Sequence, residues 1–305
     1  MLFKRISVFL KVAVFLFVTH SCTKEEVATI SDNFPSKLSG MGVFQNQLSD
    51  LTPTGDYTFY ELSTELFSDY SEKQRLIKLP PGKQLIKMDD GLPSFPDGTV
   101  LVKTFYYWKD KRTPALGKQI VETRFLRKEN DDWKVAVYKW NEEQTEGFLL
   151  TSGFDEPFNW IDENGTAKVT TYHIPSTFEC ITCHISDGKF EPIGPKLYNL
   201  NTSVERGGLD LNQLLYFQQN GLINSFNISL VDNLPTYMDQ SLSIEKRGRA
   251  YMEVNCSHCH APGGFSDYLK LDLSFHTLIG ETGIVDGKSK MIDQVSNGSM
   301  PYLGT

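Results

Sequence analysis

The 305-residue chain has few cysteines, and none is left over for a structural disulfide. Four of the five lie in two C-x-x-C-H pentapeptides, residues 180–184 and 256–260, and the fifth is Cys22. The chain also lacks an excess of positive charge, since 30 basic side chains face 38 acidic ones, which argues against nucleic-acid binding. The apolar run near the N-terminus, residues 12–18, is too short to span a bilayer as a permanent helix.

The two pentapeptides predict covalently bound haem. In a c-type cytochrome, two thiols three positions apart form thioethers with a haem, and the histidine that follows binds the iron. We therefore predict two haem c groups. The residues assigned to them are Cys180, Cys183, His184, Cys256, Cys259 and His260. His258 lies between the cysteines of the second motif, where a side chain is expected to point outward.

Cysteine pairs also occur in other kinds of site. One C-x-x-C pair is compatible with a thioredoxin-like redox site, and two pairs can form a four-cysteine zinc site. Here a histidine follows both pairs, and the pairs start 76 residues apart, which is wider than in common zinc ribbons. Both features favour haem attachment.

The N-terminus has the features of a bacterial signal peptide. Residues 1–21 carry three basic residues, no acidic residue and a short apolar run, and Cys22 follows directly. The segment resembles a lipoprotein signal, so we predict a lipid anchor on Cys22; the alternative is an ordinary cleaved signal that leaves a free thiol. The mature chain would have 27 basic and 38 acidic side chains, a net charge of −11, which favours a partner with a basic docking patch. We expect an extracytoplasmic protein anchored to the outer membrane of a bacterium.

The hydrophobic pattern divides the rest of the chain into three parts, residues 22–55, residues 56–175 and the chain after residue 175. Residues 22–55 are polar and rich in Ser, Asp, Thr and Gly, which is typical of a tether. Over residues 56–175, short alternating runs such as 99–107 and 133–140 are separated by turn signals, which predicts an antiparallel β-sandwich. All four tryptophans fall in this part of the chain, where aromatic side chains either fill a core or line a sugar-binding face.

After residue 175 the pattern changes to helical spacing. Residues 211–220 and 244–255 have apolar side chains at helical intervals, and the second run leads directly into Cys256. We therefore predict two mainly α-helical, cytochrome c-like haem modules. The first would comprise residues 176–242 and the second residues 243–305.

The chain resembles a bacterial family of dihaem c-type cytochromes that are encoded beside a parallel β-helix repeat protein. The resemblance covers roughly residues 56–304, and the segments that carry it are 66–70, 95–104, 121–124, 138–141, 180–184, 192–195, 247–251, 255–260, 262–264 and 300–301. It implies electron transfer by two covalent haem c groups, with the β-helix protein as a redox partner. Cytochrome c domains carry a helix after the axial methionine, whereas five residues follow Met300, so the second module is either truncated or closed differently.

Each iron also needs a distal ligand or an open position. Met300, which lies 40 residues after His260, resembles the methionine loop of cytochromes c. A thioether there would favour ferrous iron and raise the reduction potential. For the first haem, Met238 lies 54 residues after His184 and is the first candidate. The second candidate is His173, and the third is an open or water-bound iron.

These patterns predict an anchored, extracytoplasmic dihaem cytochrome that transfers electrons. The alternative is a dihaem peroxidase or another haem-dependent oxidoreductase, which requires an open position at the first iron. A third class is a binding module, in which the aromatic residues of the β-domain recognise a glycan. Whether the first iron has a distal ligand or an open position distinguishes the electron-transfer cytochrome from the peroxidase or oxidoreductase.

Overall fold

The fold is that of a computed structural model, which describes residues 34–302. The predicted signal peptide, the anchor residue Cys22 and the first part of the predicted tether lie outside the described residues. Within residues 34–302, no helix is both long enough and apolar enough to cross a bilayer.

Six consecutive strands form one antiparallel meander, in which the order across the sheet follows the order along the chain. The strands are β1 (Thr58–Phe59), β2 (Glu72–Lys78), β3 (Val100–Trp108), β4 (Lys118–Glu129), β5 (Asp132–Trp140) and β6 (Gly147–Leu149). Asn130 and Asp131 join β4 to β5 with φ of 53° and 67°. Two central residues with positive φ form the type I′ turn, whose twist matches that of the flanking strands.

One face of the sheet packs against a hairpin formed by β7 (Phe154–Ile161) and β8 (Ala167–Ile174). The ring of Tyr107 in β3 stacks on Phe158 of the hairpin, with centroids 5.3 Å apart. Residues 177–231 complete this layer and bring Cys180 into the same buried core. The first C-x-x-C-H motif is therefore packed onto the sheet.

The opposite face is covered by residues 34–51, which form two short 3₁₀ helices and irregular chain. Leu38 is completely buried there, and the Tyr138 hydroxyl of β5 donates a hydrogen bond to the Pro35 carbonyl at 2.8 Å. The predicted tether over residues 22–55 is wrong for its described part. The segment is polar overall, but a few of its side chains are apolar and pack against the sheet.

Most of the aromatic side chains fill these two cores. Trp133 and Trp160 are buried on the hairpin side of the sheet, and Trp140 is buried on the opposite side. Only Trp108 among the four tryptophans is partly exposed. The tryptophans therefore act as core residues, which does not favour the alternative of a sugar-binding face.

The chain after residue 175 is not mainly helical. Its helices are α1 (Thr177–His184), α2 (Leu197–Leu200), α3 (Gln213–Gln219), α4 (Ile244–Asn255) and α5 (Ile284–Ser296). Two small hairpins lie between them, β9 (Ile185–Ser186) with β10 (Lys189–Phe190), and β11 (Ser203–Arg206) with β12 (Leu209–Asn212).

The predicted fold class is therefore wrong. Of the described residues, 29% lie in strands and 22% in helices. This part of the chain is built on one six-stranded sheet, not on a β-sandwich followed by α-helical cytochrome c-like modules. The physical reason is that α1, α2 and α3 have only eight, four and seven residues. Helices this short depend on packing, and these contribute buried residues to the cores around the sheet. The predicted helix over residues 244–255 is confirmed as α4.

A buried ion pair fixes the β7–β8 hairpin to the sheet. Glu122 of β4 is completely buried, and its carboxylate accepts hydrogen bonds from Arg124 Nε at 2.8 Å and from the Tyr172 hydroxyl of β8 at 2.8 Å. Removing one partner of such a pair leaves the other charge buried and uncompensated. The three side chains therefore stabilise the contact only as a set.

We predict that Glu122→Ala destabilises the fold by about 3–5 kcal/mol, because the Arg124 guanidinium and the Tyr172 hydroxyl lose their acceptor. Denaturant unfolding followed by circular dichroism measures the change. Asp56→Ala is the control, since it removes only the exposed ion pair with Lys78 and should cost less than about 1 kcal/mol. Equal losses for the two variants would contradict a stabilising role for the buried pair.

Candidate functional site

The first C-x-x-C-H motif forms the end of helix α1. The helix begins at a capping box, in which Glu179 N donates to the Ser176 hydroxyl at 3.2 Å and Ser176 N donates to the Glu179 carboxylate at 2.7 Å. Because the start is fixed, Cys180 faces the core beside the sheet. Cys183 and His184, at the other end of the helix, line a cavity.

The hairpin β9–β10 orients His184. Its two turn residues, Asp187 and Gly188, have φ of 49° and 75° and return the chain over the histidine. His184 Nδ1–H donates to the Glu191 carbonyl at 2.7 Å, and the ring stacks on Phe190 with centroids 4.7 Å apart. Burial lowers the pKa of His184 to about 3, so the ring is neutral. A neutral ring held at Nδ1 leaves Nε2 for a metal, as in most metal-binding histidines.

The second motif follows directly on α4, which begins at the N-cap Ser243. At the end of the helix, the Ser257 hydroxyl donates to the Glu253 carbonyl at 2.5 Å. Burial lowers the pKa of His260, which also favours a neutral ring. Its Nδ1 is buried and finds no hydrogen-bond partner within residues 34–302. His260 is therefore less firmly oriented than His184.

The two motifs lie against each other. The Asp187 N–H of the β9–β10 turn donates to the Gly263 carbonyl at 2.9 Å, and Ser186 forms a β-bridge with Gly264. A Cβ at position 263 would clash with the Asp187 side chain, and Gly263 has a φ of 79°. Glycine is needed at this position for both reasons.

Cys183, His258 and Cys259 form a cluster at this contact, with their ligand atoms all within 4.8 Å of one another. A hydrogen bond with Cys259, together with the nearby His258, lowers the pKa of Cys183 to about 5. The same hydrogen bond, with burial, raises the pKa of Cys259. The expectation that His258 points outward is wrong, because the second motif faces the first motif instead of solvent.

A cavity of about 240 Å³ lies between the motifs. Cys183 and His184 line it from the first motif, and Ser257 and His258 line it from the second. The structure thus brings the two predicted haem-attachment sites together at one place. This contact could not be predicted from the sequence, because the two motifs start 76 residues apart along the chain.

Glu253 of α4 is a buried carboxylate on the wall of this cavity. Its Oε1 accepts hydrogen bonds from Lys196 Nζ and the Tyr198 hydroxyl, both at 2.6 Å, and its Oε2 accepts one from Phe275 N at 2.7 Å. Burial and the charge of Glu253 raise the pKa of Tyr198. Sequence reasoning missed this residue, since a glutamate in an amphipathic helix is usually solvated and its partner Lys196 lies 57 residues away.

The two predicted distal methionines do not line the cavity between the motifs. Met238 is 67% exposed. Met300 is partly buried, and its N–H donates to the Gln294 carbonyl at the end of α5. The ring of Tyr302 stacks on Phe265 with centroids 6.5 Å apart, so the Met300 loop lies beside the loop that follows the second motif.

His173, the other candidate for the first haem, lies between two carboxylates. Its Nδ1 is 2.5 Å from Asp155 Oδ1, and its Nε2 is 3.1 Å from Glu179 Oε1. Both ring nitrogens are thus engaged, Nδ1 with Asp155 within the β7–β8 hairpin and Nε2 with Glu179 of α1. The structure does not favour bis-histidine ligation by this residue.

The donor set of the site fits covalent haem. All four motif cysteines are free, and both motif histidines are neutral. The cavity is smaller than the roughly 300 Å³ at which cofactor sites usually begin, so two macrocycles require the chain around the motif contact to open. Apolar side chains are exposed after the second motif, at Phe265, Leu278, Ile279, Val285, Ile292, Val295 and Tyr302. Exposed apolar side chains of this kind are typical of a contact with a ligand, a partner or a membrane.

The cluster of Cys183, His258 and Cys259 also has the ligand chemistry of a thiophilic ion such as Zn²⁺. It differs from the four-cysteine zinc site considered from the sequence, because Cys180 and Cys256 lie outside the cluster. Comparisons of the chain with protein-family models, curated proteins and solved structures found no match. The interpretation of the site therefore depends on its own geometry.

We predict that diamide oxidation of the haem-free chain links Cys183 to Cys259, because their Sγ atoms lie within 4.8 Å of each other and the lowered pKa of Cys183 favours the attacking thiolate. Protease digestion and mass spectrometry identify the linked peptides. Cys256→Ser is the matched control and should leave the link intact, whereas Cys259→Ser should abolish it. Disulfides found only within each C-x-x-C pair would contradict the contact between the motifs.

Proposed function

We propose that this chain is a lipid-anchored, extracytoplasmic c-type cytochrome that carries two covalent haem groups and transfers electrons. The observation that carries the proposal is the environment of His184. It ends a C-x-x-C-H motif, it is neutral, and its Nδ1 is held by the Glu191 carbonyl so that Nε2 is left for iron. A second motif of the same kind lies in contact with the first.

Each motif would supply two thioethers and one iron ligand. The residues are Cys180, Cys183 and His184 for the first haem, and Cys256, Cys259 and His260 for the second. Bound haem supplies one-electron redox chemistry. The chain itself orients His184, keeps its ring neutral by burial and shields Cys180 from water in the core beside the sheet.

The contact between the motifs supports an electron-transfer role, because it holds both attachment sites around one cavity. The excess of acidic over basic side chains suits docking to a partner with a basic patch. Such a docking would be small and transient, as is usual for redox encounters. The chain resembles dihaem cytochromes that are encoded beside a β-helix repeat protein. We therefore propose such a β-helix protein as the redox partner.

For the distal ligands, Met300 remains the proposal for the second haem, since its loop lies beside that motif. Met238 would have to turn inward from its exposed position to reach the first iron. This exposure favours a second candidate function, a dihaem peroxidase or related oxidoreductase with an open first haem. Carbon monoxide binding and peroxide consumption by the reduced protein distinguish the two, since a carrier with both irons capped should show neither.

We predict that protein matured in a host with haem c assembly exceeds its polypeptide mass by two haem groups after acid-acetone extraction, because thioether bonds survive this treatment. The double change Cys180→Ala and Cys183→Ala should remove one haem. The matched change Cys256→Ala and Cys259→Ala should remove the other. A polypeptide without added haem that contains zinc would contradict the proposal and favour the metal site at Cys183, His258 and Cys259.

We predict that Cys22 carries the lipid anchor, because it follows the apolar signal segment. Cell fractionation and labelling with a radioactive fatty acid measure this. Cys22→Ser should lose the label and leave the outer-membrane fraction, while the double change at Cys180 and Cys183 should keep both. If Cys22→Ser stays with the membrane, the anchor lies elsewhere in the protein.

A further inference from the structure

One thiol from each C-x-x-C-H motif and the imidazole of His258 lie together where the motifs meet. The Sγ atoms of Cys183 and Cys259 and a ring nitrogen of His258 are all within 4.8 Å of one another. Two thiolates and an imidazole are ligands that Zn²⁺ and other thiophilic ions prefer. We call Cys183, His258 and Cys259 the bridging cluster.

Backbone contacts hold the bridging cluster together in the haem-free chain. The β9–β10 turn of the first motif is hydrogen-bonded to residues 263–264, which follow the second motif. Cys259 Sγ lies 3.9 Å from the carbonyl oxygen of Thr182 in the first motif. The ligand atoms are therefore close to one another before an ion binds, and less conformational freedom has to be lost on binding.

The spacing of the ligand atoms fits a metal ion after a small adjustment. With Zn–S bonds of about 2.3 Å and Zn–N bonds of about 2.0–2.1 Å, the ligand atoms of a tetrahedral site are about 3.6–3.8 Å apart. Atoms that are within 4.8 Å of one another reach this spacing by approaching roughly 1 Å at most. Small rotations of the three side chains are enough for such a movement.

The three side chains are also in a state that suits a metal. The neighbouring Cys259 thiol and His258 lower the pKa of Cys183 to about 5, so Cys183 is a thiolate at neutral pH. The pKa of Cys259 is raised, mainly by Cys183, but a metal ion deprotonates a coordinating thiol outright. His258 Nδ1 is buried without a hydrogen-bond partner within residues 34–302, which is unfavourable for a polar atom.

Two of the three ligands open onto the cavity between the motifs. Cys183 and His258 line this cavity of about 240 Å³, which has room for water molecules. Cys180 and Cys256 neither line it nor belong to the bridging cluster. A tetrahedral ion would thus have three protein ligands and a water molecule on its cavity side, in contrast to a closed four-cysteine site.

We propose that the haem-free chain binds one thiophilic metal ion, represented by Zn²⁺, through Cys183, His258 and Cys259. Because the ion takes one thiol from each motif, it excludes the attachment of either haem as long as it is bound. It also holds the two unloaded motifs together. Metal binding itself does not rest on the proposed function; only the exclusion of haem does.

Zinc titration of the reduced, haem-free chain against a chromogenic chelator measures the stoichiometry and the affinity. We expect one ion per chain. Cys259→Ser and His258→Gln should each weaken zinc binding by more than about 100-fold, because even the loss of a group that only orients a ligand costs about 10–100-fold. Cys256→Ser and His260→Gln are the matched controls and should leave the affinity unchanged. Circular dichroism checks that each variant is folded, and the two ligand variants test the site independently.

X-ray absorption at the zinc edge identifies the ligands. We expect two sulfur atoms at about 2.3 Å and two nitrogen or oxygen atoms at about 2.0–2.1 Å. Four sulfur atoms, or equal losses of affinity in Cys256→Ser and Cys259→Ser, would mean a four-cysteine site. Two ions per chain would mean that each motif binds its own metal. Either result, or zinc binding by the wild-type chain that is no tighter than by His258→Gln, would overturn the proposal.

The exclusion of haem is tested on the haem-loaded protein. The tight zinc site should be lost there, because thioether formation consumes Cys183 and Cys259. A tight site that persists in protein whose mass includes two haem groups would overturn the exclusion. A mass without haem would contradict the proposed function, and the exclusion would fall with it. The titration of the haem-free chain and of its ligand variants would still decide whether the bridging cluster binds a metal.

Discussion

The burial of both faces of the six-stranded sheet is the constraint on which the rest of the structure depends. Adjacent residues of β3, such as Leu101 and Val102, belong to different cores on opposite sides of the sheet. A sheet that is apolar on both faces needs two covers. Residues 34–51 provide one, and the β7–β8 hairpin with residues 177–231 provides the other. The position of the first C-x-x-C-H motif is therefore set by packing on the sheet.

The same burial determines the electrostatics of the site. Charges enclosed by the covers are stable only where they are paired, as for Glu122 with Arg124 and for Glu253 with Lys196. His184 has no carboxylate partner in the described chain and is neutral, which suits a metal ligand and not a structural ion pair. Lys103 departs from this pattern, since it forms no salt bridge within residues 34–302, and burial holds the pKa of its ammonium well below the usual range.

Features that depend on neighbours in sequence could be predicted, and those that depend on distant contacts could not. Alternating apolar and polar residues over 99–107 and 133–140 predict two strands, and the structure has them as β3 and β5. The C-x-x-C-H spacing likewise identifies the cysteines of the candidate site. The cover formed by residues 34–51 was missed, because its composition is polar and only a few of its side chains are buried. The cluster of Cys183 with Cys259 was also missed, because the contact between the two motifs corresponds to no local sequence pattern.

The two motifs differ in how much of their environment exists before a cofactor binds. His184 already has its hydrogen bond and its stacked ring, whereas His260 Nδ1 has no partner in the described chain. Helix α5 buries none of its residues, and Val285 and Ile292 on it are exposed. A preorganised site gains little order on binding, whereas an incomplete one folds together with its cofactor. The proposed second haem would thus supply the missing core of the chain from residue 260 onward, while the first would join a core that the sheet has already completed.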